Sequence, residues 1–142
     1  MKRLVNLART VRFDSSREDL QVCSILFRDE KTKKACRIFL DWLRNNGAAA
    51  TRPQISQFGR DLQAGRIEAG FRYNRANLYD PILRRMVNLG LIGIRGSFDQ
   101  QKGVVEKYSP IIQPIPKNSP SRKNFWHIAW AICKNWNDLW TA

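Results

Sequence analysis

The side chains best suited to chemistry in this sequence are amides and cations at the head of an apolar-periodic stretch: Asn74, Arg75, Asn77 and Tyr79, with Arg84 one to two turns further on. An asparagine amide pairs bidentately with an adenine edge, and an arginine guanidinium with a guanine edge. The first residues of a helix lying in the DNA major groove come nearest those edges. A second group, Arg52, Gln54 and Ser56, opens another helical stretch, where free backbone N–H groups also attract phosphate. Arg72 precedes the first group, and Arg95 and Lys102 bracket a polar loop further on. These residues also have plain structural uses. Asn74 and Asn77 can be helix caps only, Tyr79 can be core, and Arg84 with Arg85 can be a solvated face.

Catalytic chemistry finds little material. His127 is the one histidine, and no acid or nucleophile is identifiable as its partner, so it reads as a surface or interface residue. There is no P-loop, no dinucleotide glycine pattern and no G-x-S-x-G. The 12 carboxylates are scattered, whereas a nuclease gathers several around a metal. No enzymatic activity, metal or cofactor is expected. Cys23, Cys36 and Cys133 are odd in number and far apart, without a C-x-x-C. That pattern fits neither a zinc site of ordinary spacing nor a disulfide framework. Reduced thiols behaving as small core hydrophobes are the expectation.

Charge points to the partner. The 25 Lys and Arg against 12 Asp and Glu leave +13. Such an excess repels itself in the folded state, and a polyanionic partner accounts for it. The basic residues run from Lys2 to Lys134 rather than along one helix, unlike a membrane-surface peptide. With 142 residues, 43% of them hydrophobic, the chain has material for one domain with a real core. The longest apolar runs, such as Ile128 to Cys133, fall far short of the roughly 20 residues of a bilayer span. Met1 to Arg9 opens basic but lacks the apolar stretch of a secretory signal. A cytoplasmic, nucleoid-associated protein is expected.

The elements that must position these residues are legible in part. Residues 1–30 read as an N-terminal extension. Ser16-Arg17-Glu18-Asp19 offers a helix start followed by Leu20, Cys23 and Phe27 on one face, yet Val22 to Ile25 also suits a strand. From Lys34 to Arg44, the residues Ala35, Cys36, Phe39, Leu40 and Leu43 define a buried helical face, preceded by a solvated Lys31-Thr32-Lys33-Lys34. Asn45-Asn46-Gly47 ends it. A second helix starts at Thr51, whose hydroxyl pairs with Gln54 as a capping box, with Pro53 in the first turn. Ile55, Phe58 and Leu62 form its apolar stripe. A third helix runs from Asn74 or Asn77 to Leu89, with Leu78, Ile82, Met86 and Leu89 on one face. Pro81 sits in its first turn, Asn77 caps it, and Gly90 stops it. A β-hairpin follows, with strands Leu91–Arg95 and Val104–Ile112 around the loop Gly96 to Gly103, where Phe98 marks the tip.

Helix, helix, helix and hairpin is a familiar order. The stretch from Arg75 to Ile92, ending Leu89-Gly90-Leu91-Ile92, resembles the recognition helix and first wing strand of winged-helix regulators of the MarR and PadR types. Glu106-Lys107-Tyr108-Ser109-Pro110 resembles the exit of their second wing strand. The resemblance covers about residues 31–112. It implies a winged helix-turn-helix, mainly α with a small β-hairpin (α+β), that reads duplex DNA with its third helix. By the same resemblance Arg95 and Lys102 sit on a wing that reaches the minor groove or flanking backbone. The family joins its second and third helices by a short turn. Here Gln63 to Tyr73 is longer, and either extends the second helix or adds a short one.

Residues 113–122 read as a Pro-rich linker, and 123–142 as an aromatic helix carrying Trp126, Trp130, Trp136 and Trp140 together with Cys133. A face that wide must be covered, either by its own domain or by another chain. A homodimer through this helix is favoured, because the linker lets it reach away. The two recognition helices would then meet half-sites about one DNA turn apart. The function expected is that of a DNA-binding transcriptional regulator. A replication or architectural DNA binder and a winged-helix protein-interaction module are the alternatives.

Overall fold

The computed structural model of the protein describes residues 21–116 and 125–141. The helix start expected at Ser16 and the linker residues 117–122 lie outside them. The chain divides into two compact units, Asp29–Ile111 and a second that joins Met1–Arg28 to Ile112–Ala142. The described residues are mixed helix and strand, with a small three-stranded antiparallel sheet.

The unit Asp29–Ile111 opens with helix α2 (Glu30–Asn45), after a short α1 (Val22–Leu26) in the other unit. Asp29 caps α2 by accepting from the Thr32 backbone N–H. The apolar face anticipated from spacing is buried at Ala35, Cys36, Phe39, Leu40 and Leu43. Lys33 departs from the solvated helix start expected of Lys31 to Lys34. It is buried, with its ammonium on Glu30 at 2.9 Å. Gly47, at φ +78°, and Ala48, at φ +56°, turn the chain out of the helix.

A two-residue strand β1 (Ala50–Thr51) precedes α3 (Arg52–Gln63). The capping box is formed in full: the Thr51 hydroxyl accepts from the Gln54 N–H, and Gln54 Oε1 accepts from the Thr51 N–H at 2.9 Å. Ile55, Phe58 and Leu62 are buried, and Phe58 stacks on Trp42 of α2 with ring centroids 4.7 Å apart. The segment after Gln63 neither extends α3 nor forms a helix, contrary to expectation. Gly65 and Gly70 both take positive φ, and an isolated bridge joins Glu68 to Phe71. The loop is pinned by the buried side chains of Phe71 and Tyr73, and the Tyr73 hydroxyl meets Thr32 of α2 at 3.1 Å.

The expected third helix is present in pieces: α4 (Arg75–Asn77), α5 (Leu78–Leu83, kinked at Asp80) and α6 (Arg84–Asn88). Its cap is Asn74, whose side-chain oxygen accepts from the Ala76 N–H at 2.7 Å, and not Asn77, which makes no side-chain cap. Asp80 is extended (φ −142°, ψ 107°), so the helix is interrupted just before Pro81 instead of opening with it. Leu78, Ile82, Leu83 and Met86 are nonetheless buried. Leu89, placed on that face by periodicity, is exposed.

The hairpin is longer than its glycines indicate. Strands β2 (Ile92–Asp99) and β3 (Gly103–Pro110) pair in unbroken register from Ile92 opposite Pro110 to Asp99 opposite Gly103. β3 also pairs with β1, giving the order β1-β3-β2. Gly96, read as the start of the loop, lies inside β2, and the connecting turn is confined to residues 100–102.

In the second unit, helix α7 (Phe125–Trp140) buries Ile128, Ala131 and Trp136. The start of the expected linker is tied to it. Gln113 donates its N–H to Asn137 Oδ1 at 2.8 Å, and Asn137 Nδ2 donates to the Gln113 carbonyl at 3.0 Å. The expectation of three reduced thiols is corrected: Cys133 is a free thiol, whereas neither Cys23 nor Cys36 is, each being oxidised in a disulfide.

Candidate nucleic-acid interface

Polar side chains of α3 converge with those of α4 because Gly59 lets the two approach. A Cβ built on Gly59 would lie 2.7 Å from Cγ of Arg75 and 3.3 Å from a methyl of Leu78. The aliphatic stem of Arg75 therefore lies on the bare backbone of α3. The Arg75 N–H is bound by Gln63 Oε1 at 2.9 Å, and Asn74 closes the cap one residue earlier. Together Arg60, Gln63, Asn74, Arg75, Ala76 and Tyr79 line one open groove. Arg60, Asn74, Arg75 and Asn77 are solvent-exposed. Two guanidinium groups and two side-chain amides thus flank one concavity, an arrangement able to bind phosphate and base edges.

Beside this groove, Arg52 stands at the head of α3. The pairing of Thr51 with Lys107 puts it next to Tyr108, to whose hydroxyl it donates at 3.0 Å. Its guanidinium also covers the ring of Tyr79 at 4.8 Å. The hydrogen bond to Tyr108, then the charge of that phenol, raise the guanidinium's pKa further above its already high ordinary value. Tyr79 in turn shares a hydrogen bond with Ser56 at 2.8 Å. These contacts hold a cation in place next to the groove. They also occupy Ser56 and, through the capping box, Gln54 Oε1, so both residues have structural work.

The remaining sequence candidates are dispersed. Arg84 is exposed and bridges to Asp80 at 3.1 Å. Arg72 is not part of the Arg75 groove. Its side chain lies against Gly65, within 3.2 Å of where a Cβ would be, and lines a separate groove with Glu30, Lys31, Lys34, Gly70 and Phe71. Arg95 and Lys102 are exposed on the hairpin. The turn beside Lys102 is held by Asp99 Oδ1, which accepts from the N–H groups of Gln101 (2.8 Å) and Lys102 (3.0 Å). Those two bonds hold the Asp99 carboxyl below the usual carboxylate range.

Sequence reading passed over Arg60, because its neighbours in the groove lie far along the chain. The signal was present nonetheless: Ser56, Arg60 and Gln63 recur at helical spacing on the polar side of α3.

The residues expected at a dimer contact divide. Trp136 is fully buried in this chain, set edge-on to Trp140 at 5.2 Å. Trp130 is partly covered and donates its Nε1–H to the Pro116 carbonyl at 3.1 Å. Cys133 is half-buried, and burial pushes its thiol pKa up. Trp126 stands out, 72% exposed beside the exposed Phe125.

Among the described residues no three His, Cys, Asp or Glu gather as metal ligands, and no helix is long and apolar enough to cross a membrane. Comparison of the chain with known family models, with characterised proteins and with solved structures returns no match.

Proposed function

We propose that Asp29–Ile111 is a winged helix that binds duplex DNA, and that the protein is a transcriptional regulator without enzymatic activity. The observation that carries the reading is the Arg60, Asn74 and Arg75 groove at the junction of α3 and α4, with Arg52 beside it. Element order supports it: helix, short strand, helix, a further helical segment, then a hairpin whose second strand lies centrally in the sheet. The net charge of +13 supplies the long-range attraction to a polyanion. In this reading Asn74, Arg75 and Asn77 face bases, while Arg52, Arg60, Arg84, Arg95 and Lys102 hold phosphates. In the same reading a homodimer forms through α7, with the exposed Phe125 and Trp126 as its first contacts.

The test is selection from random duplex DNA by the full chain at roughly 150–200 mM salt, where purely ionic binding is much weakened. Enrichment of one motif is the expected result. Retention of no DNA overturns the reading in favour of a protein-docking module. Binding without enrichment favours the second reading, an architectural DNA binder. The bare aromatic ring of Phe98 at the hairpin tip is the observation that favours it.

A further inference from the structure

The hairpin carries two unlike surfaces, one with exposed apolar side chains and one with two facing cations. Alternation puts Ile94, Gly96 and Phe98 on one side, opposite Tyr108, Glu106 and Val104. At the base of that side Tyr108 is buried, whereas at its end Phe98 is 78% and Val104 71% exposed. Leaving both in water forgoes hydrophobic stabilisation. Phe98 and Val104 stand directly across the ladder from each other, so their exposed side chains form one contiguous apolar surface. Gly96 contributes to the shape: a Cβ there would stand 3.2 Å from Val104 Cγ1, so the bare position lets Val104 lie close along the strand.

On the opposite side Arg95 faces Lys107 across the ladder. Like charges directly opposite destabilise a sheet. Among the described residues neither cation has an ion-pair partner. An anion lying along this side relieves that repulsion. Asp99 lies on this side too, nearer the tip, its ionised carboxylate bonded to two N–H groups of its own turn, which confines such an anion to the Arg95–Lys107 pair. Glu106 lies on the apolar side, nearer the base.

We infer that Phe98 and Val104 form a wedge that enters a base step of duplex DNA from the minor groove, while Arg95 and Lys107 hold the adjoining phosphates, so that the hairpin kinks the DNA instead of reading it. The inference rests on the DNA-binding reading above and assigns the tip a task distinct from that of the α3–α4 groove. Apolar wedges of this kind unstack a step and bend the duplex, most easily at flexible TA or CA steps. The recovered apolar contact and the closer phosphates offset the unstacking.

The experiment titrates the full chain onto a roughly 30-bp mixed-sequence duplex with a central TA step, carrying a fluorophore pair at its ends. A second duplex carries a two-base mismatch at its centre. The expected result is a rise in end-to-end energy transfer on binding, and about tenfold tighter binding to the mismatched duplex, whose step is already unstacked. Phe98→Ala is expected to lose the bend and most of that preference, so that its affinities for the two duplexes come within about threefold of each other. Phe98→Leu, still apolar, keeps both, which separates loss of the wedge from damage to the hairpin. Wild-type binding without bending overturns the inference while leaving the DNA-binding reading intact, as does a Phe98→Ala variant that bends like wild type. Failure of wild type to bind either duplex overturns both. A dimer seen by sedimentation in wild type and lost in Phe98→Ala overturns the inference in favour of a contact between copies of the chain.

Discussion

At the scale of single residues, Gly59 has two opposed effects that one substitution separates. An alanine at this buried helical position gains roughly 0.5–1 kcal/mol of helix stability, because glycine loses more backbone entropy on folding. The same methyl, 2.7 Å from Arg75 Cγ, cannot be accommodated by the flexible end of that side chain and pushes its stem off α3. Gly59→Ala is therefore expected to lower affinity for the selected DNA several-fold while leaving the melting temperature near wild type. Arg75→Ala sets the upper limit of the loss, about 1–3 kcal/mol, and relaxes preference at one base pair. Titration and a melt on the same sample check this, and undiminished affinity in Gly59→Ala would show that the placement of Arg75 is immaterial. Asp99 makes a prediction of a different kind. Its folded pKa is depressed, so the stabilisation it brings is present above its unfolded pKa and is lost as pH falls through the lower folded value. A carbon-detected NMR titration should find its midpoint below that of an exposed aspartate, with the amide signals of Gln101 and Lys102 moving together with it. A midpoint in the ordinary range would mean that the turn bonds are not formed in solution.

Elements differ in how much of them the sequence discloses, and the difference follows from the range of the forces that make them. α2 and α3 were legible because periodicity and capping chemistry are local: Thr51, Pro53 and Gln54 specify the start of α3 within four positions. Thr51→Ala should then cost about 0.5–2 kcal/mol, read as a shift in the denaturant midpoint at unchanged slope. A loss below that range would place the stability of α3 in its packing on Trp42 instead of its cap. β1 was not legible, since two residues carry no alternation and Ala50 and Thr51 become a strand only by pairing with Tyr108 and Lys107 far along the chain. Gly96 misled for a related reason. Glycine usually marks a loop, but here it lies within a strand beside a valine that leaves little room for a side chain. The pattern of Leu78, Ile82 and Met86 continued through a break at Asp80, because burial depends on where side chains end up and not on an unbroken ladder. The candidate site follows the same rule. Asn74 and Arg75 announced themselves as neighbours in sequence, whereas Arg60 joins them only through the close approach that Gly59 permits.

For the whole molecule the quantity that tests the proposed DNA binding is how many of its cations meet phosphate at once. A charge of +13 attracts any polyanion, but only cations seated on phosphates release counterions on binding. Those assigned to phosphates in the proposed reading belong to the unit Asp29–Ile111: Arg52, Arg60, Arg95, Lys102 and Lys107. Arg84 counts for less, because its exposed bridge to Asp80 must first be exchanged. Some five or six phosphate contacts imply that log K falls against log salt with a slope near −5, or about a thousandfold between roughly 50 and 200 mM salt. Replacing Arg95 or Lys107 by alanine should lessen that slope by about one each while leaving the selected motif unchanged, because these residues touch no base edge. Replacing Arg75 should alter the motif as well. Affinity measured at four salt concentrations for each variant tests this division. A wild-type slope near −1 would mean that the charge attracts DNA without being seated on it, and the α3–α4 groove would lose its claim to be the binding surface. A slope unchanged in the hairpin variants but lessened by Arg60→Ala would confine phosphate contact to that groove and remove the hairpin from the interface.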